Sequence, residues 1–190
     1  MNKKIIMGVS GDVGSFSEEA AIRYAARENK VIQLNYLMDM DGVLSALDTE
    51  KIDLGIFPVV NIHGGLVKPA FEAMGKYSFK LIDELWLDVK QCLLALPGTN
   101  FNDIKAVASH PQGYAQCKNY LKNKLTNAEF IPWIDTAKAA KDLREGKLSV
   151  TTAVIAPESS AAIYQLEVMD KNIQDQQPNL TAFIIVKRYK

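Results

Sequence analysis

A chain of 190 residues with 48% hydrophobic and 23% charged side chains has the balance of one sizeable domain or two small lobes, which excludes intrinsic disorder. Twenty-two basic residues against twenty-two acidic ones leave no net field for nucleic acid or an anionic membrane surface, and neither sign forms a long block. A small molecule or a protein partner remains.

Lys3 and Lys4 precede the apolar run Ile5 to Val9, which is too short for a signal peptide's hydrophobic region and has no small-residue cleavage site after it. It reads as the first strand, residues 4–9, of a cytoplasmic protein. No stretch approaches the roughly eighteen apolar residues of a membrane span. Gly8, Gly11 and Gly14 crowd the loop before Ser15-Phe16-Ser17-Glu18. That tetrapeptide fits a capping box, with Ser15 accepting from the third helical N–H and Glu18 reaching back. The glycines suit either an anion held at the helix N-terminus or a tight turn with a good cap. A helix follows over 17–28, then a strand over 31–37, a helix over 40–47, a strand over 53–58 and a helix over 67–74. The long apolar run 81–96 holds two or three strands' worth of sequence before Pro97-Gly98 ends it. It is expected to carry the chain from one lobe to the other, which predicts a cleft with a hinge. Beyond it come a strand over 105–109, a helix over 112–125, a strand over 129–133, a helix over 136–144, a strand over 152–156, a helix over 158–166 and a strand over 181–186. Strands alternating with amphipathic helices define an α/β fold.

Two later loops repeat the strand-to-helix arrangement: Ser109-His110-Pro111-Gln112, and Asp135-Thr136 with Asp135 as N-cap. Three such loops suit a small dianion held by backbone N–H groups and hydroxyls, with no metal or cofactor required. His63 and His110 are the two histidines, and neither has a partner at metal-ligand spacing. Cys92 and Cys117 lie far apart in apolar or amphipathic segments, and read as reduced core thiols rather than a disulfide or a nucleophile. Trp86 and Trp133 read as core or hinge aromatics.

Taken in order, several segments resemble the prephenate dehydratase signature: Gly11 through Ala21, Asp53-Leu54-Gly55-Ile56-Phe57-Pro58, Ser109-His110-Pro111-Gln112, Gln116-Cys117, Asp135-Thr136-Ala137, Ile173-Gln174-Asp175 and Asn179-Leu180-Thr181-Ala182-Phe183. Each is weak alone; their order and spacing are specific. The resemblance implies an α/β, two-lobed periplasmic-binding-protein-like fold with a ligand cleft between lobes. Lobe 1 is expected over about 1–80 plus 166–190 and lobe 2 over about 81–165, with no chorismate mutase or ACT domain. It further implies a cytoplasmic lyase, commonly a homodimer, that needs no cofactor and takes prephenate to phenylpyruvate with loss of carbon dioxide and water. In that resemblance Thr181 is the catalytic residue. Ser15, Phe16, Asn61, Gly64, Gly65, Gln112, Thr136 and Phe183 line the substrate pocket.

Two motifs depart from the family. Its Glu-Asn-Ser is here Val60-Asn61-Ile62, and the arginine of its Thr-Arg-Phe is Ala182, which removes a guanidinium suited to bidentate carboxylate binding. Lys68 and Lys138 are candidates to supply a cation in its place. Retention of Thr181, Asn61 and Gln112 favours the dehydratase. Two alternatives stand beside it: a decarboxylase that leaves the ring non-aromatic, and a non-catalytic module that binds a small carboxylate.

Overall fold

The computed structural model describes residues 4–189; Lys3 lies outside them. In chain order the elements are β1 (Ile5–Val9), α1 (Phe16–Arg27), β2 (Ile32–Tyr36), α2 (Met40–Asp48), β3 (Leu54–Asn61), β4 (Gly65–Leu66), α3 (Lys68–Met74), β5 (Phe79–Asp88), β6 (Cys92–Ala95), a single 3-10 turn (Phe101–Asp103), β7 (Ala106–Ser109), α4 (Pro111–Ala115), α5 (Lys118–Lys124), β8 (Glu129–Pro132), α6 (Thr136–Arg144), β9 (Thr152–Ala156), α7 (Glu158–Tyr164), β10 (Glu167–Asp170) and β11 (Leu180–Arg188). They form two compact units. The first takes the chain through residue 12, Phe16–Asp88, and the stretch from Leu180 on; the second takes Val13–Ser15 and Val89–Asn179.

The first unit is a mixed sheet in the order β2-β1-β3-β11-β5, with β4 added to β3. β1 runs parallel to β2 and β3, whereas β11 pairs antiparallel with β3 and β5. This order, with the last strand of the chain inserted beside β3, is the periplasmic-binding-like arrangement expected of the fold. On one sheet face Phe57, Ile184 and Val186 pack with Val43, Leu44 and Leu47 of α2 and Ala70 and Ala73 of α3. Gly8 does not belong to the loop before α1. It lies inside β1, where a Cβ would come within 2.6 Å of Ile52 Cδ1, so packing accounts for it.

The second unit is a sheet in the order β10-β6-β9-β7-β8. Leu93, Val107, Ala153 and Ile155 pack with Cys117 and Leu121 on one face, while Leu94, Ala108 and Val154 pack with Ala139, Ala140 and Leu143 of α6 in another cluster. Both cysteines are free thiols buried here. Trp133 is a partly buried aromatic beside the α6 cluster, but Trp86 is 46% exposed on β5, and the core reading fails for it.

The unit boundaries, one helix and one strand differ from expectation. The units exchange the chain at Asp88/Val89 and Asn179/Leu180 rather than near 80 and 165, because all of β5 pairs with β11, and β10 pairs with β6. The single helix expected over 112–125 is two, broken at Gln116-Cys117. There Asp175 N–H donates to Gln116 O (2.7 Å), and the Asp175 carboxylate takes the N–H groups of Asn119 and Tyr120 at 2.9–3.1 Å. A remote aspartate thus caps a second helix start. β10 escaped notice because α7 ends at Tyr164 with Gln165 in the left-handed conformation (φ 54), leaving four residues for a strand.

Lys138 and Lys147 both donate to the Asp142 carboxylate, which also takes the Trp133 indole N–H (3.1 Å); the Asp142 side chain is 4% exposed. Burial pushes this carboxyl up, but the two ammonium groups and the indole outweigh it and hold it below the ordinary aspartate range. Asp142→Ala leaves these donors without their acceptor. It is expected to lower unfolding free energy by about 2–3 kcal/mol, under the fully buried case because the lysines reach solvent. Urea denaturation measures the loss.

Candidate active site

Thr181 and Asn61 face each other on neighbouring strands, paired across β11 and β3. Asn61 ends β3 and Gly65 opens β4, so residues 62–64 form the tip of a tight hairpin. Gly65 has φ +72, a backbone state that favours glycine. Gly64-Gly65 is therefore a defined turn rather than a free loop. The Asn61 carboxamide is held from inside that turn: its Oδ1 accepts from His63 N (2.9 Å) and Gly64 N (2.6 Å). Two donors on one end assign that end as oxygen. Asn61 Nδ2 accordingly donates to Thr181 Oγ1 at 2.9 Å. Asn61 is 1% and Thr181 7% exposed, so this bond is shielded from water.

A hydroxyl carries one proton. With its oxygen accepting from Asn61, Thr181 keeps that proton free to donate. On the same strand Phe183 is 1% exposed and belongs to the buried interior of the first unit. Phe16, also in this unit, opens α1. Glu18, expected to close a capping box, accepts from Tyr36 Oη through its Oε1 (2.7 Å).

Ser15, Gln112 and Thr136 belong to the second unit. Ser15 is 3% exposed and follows Val13 and Gly14, whose carbonyls accept from Tyr164 Oη and from the hydroxyls of Ser159 and Ser160. Gly14 has φ +85, and a Cβ there would meet Ser160 Oγ at 3.0 Å. Thr136 is the first residue of α6, and Asp135 caps that helix as expected, accepting from Lys138 N (2.8 Å). α4 is capped by His110, whose Nδ1 accepts from Gln112 N (3.2 Å). A lone pair on Nδ1 places the ring proton on Nε2.

Burial pushes the His110 imidazolium pKa down from 6.5. A folded-state pKa below the unfolded value means that the unfolded chain binds protons first. The contribution to stability is whole above about pH 6.5 and is lost as pH falls through the folded pKa. His110→Asn keeps an acceptor for the cap and removes the titration. It is expected to match wild type at pH 8 and to lose less stability between pH 7 and 5, measured by urea denaturation at each pH.

Sequence reasoning passed over Gln91, which is 2% exposed and lies just after the chain enters the second unit. Its Nε2 donates to Gln116 Oε1 (3.0 Å), the same atom that takes Asn179 Nδ2 (3.0 Å), while its backbone N–H donates to Gln174 Oε1 (3.0 Å). Segments matched to one family signature far apart in sequence thus meet in one buried network. Lys138 is committed to Asp142, and Lys68 is an exposed residue opening α3. Among the described residues no three His, Cys, Asp or Glu side chains cluster to hold a metal, and no helix is long and apolar enough to cross a membrane.

The family model for prephenate dehydratase matches residues 7–190. The chain belongs to the prephenate dehydratase family. It is 31% identical over 178 residues to the bifunctional chorismate mutase/prephenate dehydratase of Buchnera aphidicola, covering 94% of this chain and 46% of that one. It is 32% identical over 187 residues to the prephenate dehydratase of Methanocaldococcus jannaschii, covering 98% and 65%. Among solved structures, the prephenate dehydratase of Arthrobacter aurescens in complex with L-Phe superposes with a TM-score of 0.84 at 25% identity, covering 98% of this chain and 61% of that one. The chain spans about half the length of several curated relatives it matches.

Proposed function

We propose that the chain carries prephenate dehydratase activity, converting prephenate to phenylpyruvate, carbon dioxide and water. The observation that supports this most is the oriented Asn61–Thr181 pair. In the reaction the bond to the ring-borne carboxylate breaks and its electron pair enters the ring. The carbon–oxygen bond to the hydroxyl breaks with it, and the departing oxygen takes up a proton to become water. Aromatisation drives the sequence, so no redox partner is needed.

The protein's share is to hold the carboxylates, exclude water and stabilise charge on the leaving oxygen. Thr181, its oxygen accepting from Asn61, keeps its O–H to donate to that oxygen. A threonine is too weak an acid to surrender the proton outright, so it steers and stabilises the departing hydroxide, which takes up the proton that completes the water once it leaves the site. Ser15, Phe16, Gly64, Gly65, Gln112, Thr136 and Phe183 are assigned to substrate binding or to the pocket wall, and the protein is read as a cytoplasmic homodimer. The Gln112 carboxamide is without a partner among the described residues, which suits a donor to a carboxylate.

Purified protein is incubated with prephenate, phenylpyruvate is followed by its alkaline absorbance, and all products are identified by mass. Phenylpyruvate that vanishes in Thr181→Ala supports the reading. A decarboxylated, non-aromatic product replaces it with a decarboxylase, and untouched prephenate removes the activity. Sedimentation analysis tests the dimer.

A further inference from the structure

Residues 60 and 182, valine and alanine where the sequence resemblance implies glutamate and arginine, are direct partners across β3 and β11. Directly paired residues of an antiparallel ladder project to the same sheet face, and neighbours along one strand to opposite faces. The Asn61–Thr181 side-chain bond defines one face. β11 is continuous from Leu180 to Arg188, so Ala182 shares the other face with Ile184 and Val186, which pack in the cluster with α2 and α3. The same row extends to Leu66 on β4 and Trp86 on β5, the register partners of Val60 and Ala182. A bulge in β3 beside this row, between the partners of Ala182 and Phe183, sharpens the local twist.

We infer that positions 60 and 182 form one cross-strand unit on the α2/α3 face, turned away from the ligand that Thr181 addresses. The two departures are then a single compensated exchange, an opposite-charge pair traded for an apolar one. Substrate specificity is not set at residue 182. An arginine introduced alone at this 3% exposed position brings a charge with no partner opposite it, whereas glutamate at 60 supplies one. The claim about the ligand rests on the dehydratase reading; the claim about pairing does not.

The test is a double-mutant cycle of Ala182→Arg, Val60→Glu and the double variant, each measured by urea denaturation and by kcat/KM with prephenate. Each single change is expected to lower stability. Combining them is expected to recover on the order of tenfold in the folding equilibrium constant relative to additivity, a normal coupling for residues in contact. The double variant is expected to keep kcat/KM within about threefold of wild type, since the exchange touches no ligand. If Ala182→Arg alone is not recovered soluble, rescue by Val60→Glu is itself the coupling, and failure of both to fold overturns the inference. Additive effects on stability overturn it as well. So does a rise in kcat/KM of tenfold or more in Ala182→Arg, or turnover appearing there when wild type has none. A wild type without turnover defeats the dehydratase reading, while the stability cycle still decides the pairing.

Discussion

Thr181→Val is expected to lower kcat for phenylpyruvate formation on the order of 10²–10³-fold, the usual consequence of removing one oriented donor from a developing negative charge. Valine keeps the β-branched shape that suits this strand position, so the change isolates the hydroxyl. Its cost in stability is modest. Asn61 Nδ2 loses its acceptor in a site where both residues are nearly buried, which amounts to about 1–3 kcal/mol. Thr181→Ser keeps an oxygen for Asn61 and a proton to donate, and is expected to stay within about tenfold of wild type, the loss arising from the freer rotamer. Steady-state assays of the three proteins decide the matter. A valine variant retaining a tenth or more of the wild-type rate would remove the hydroxyl from the chemistry.

Asn61→Asp reverses the direction of the hydrogen bond without dismantling the turn. One carboxylate oxygen still accepts from His63 and Gly64 N–H, as Asn61 Oδ1 does at 2.9 and 2.6 Å. The other oxygen takes the place of Nδ2, 2.9 Å from Thr181 Oγ1, and has no proton to give. Thr181 must then donate to it, and its only proton is no longer available to a leaving group. Activity at neutral pH is expected to fall on the order of 10²-fold or more with the fold retained, since three donors meet the carboxylate. Lowering the pH protonates the introduced carboxyl and lets it donate again, so the activity of this variant relative to wild type rises toward acid. A pH–rate profile of both proteins shows this, with circular dichroism confirming the fold at each pH. Asn61→Ala, which empties the turn as well, is expected to be less stable by about 1–3 kcal/mol as two N–H groups lose their acceptor.

Both variants read out one atom's proton, and that proton's direction depends on a short local segment. Asn61, Gly64 and Gly65 carry the geometry because a hairpin of this tightness needs a left-handed residue at its exit and an acceptor inside it. Such needs are local. They explain why the Asp135 cap and most strands and helices were legible along the chain, whereas the β3–β4 hairpin, with no strand expected between residues 58 and 67, was not. The register of two strands separated by more than a hundred residues has no such local mark. Asn61 and Thr181 were assigned to one pocket through resemblance, and their hydrogen bond emerges only when β11 is placed beside β3.

The same distinction explains the misreadings. The break between α4 and α5 depends on Asp175, which arrives from far along the chain to take Asn119 and Tyr120 N–H. Trp86 was read as a core or hinge aromatic, yet β5 lies at the end of its sheet and leaves the indole 46% exposed, which removes the core alternative. Lys138 looked available as a cation until Asp142, one helical turn away on α6, claimed it.

From residue order alone came the α/β class, the Asp135 cap, the neutral charge balance that disfavours nucleic acid, and the family signature with its two departures. These depend on periodicity, local backbone preference and residue chemistry, which act over a few positions. Tertiary structure decided where the chain passes between the two units, which face each strand residue occupies and which donor each buried acceptor receives. A sheet's side chains alternate with period two, so a shift of one residue in register exchanges every face. Only the assembled sheet could place Val60 opposite Ala182, and turn both away from the hydroxyl of Thr181.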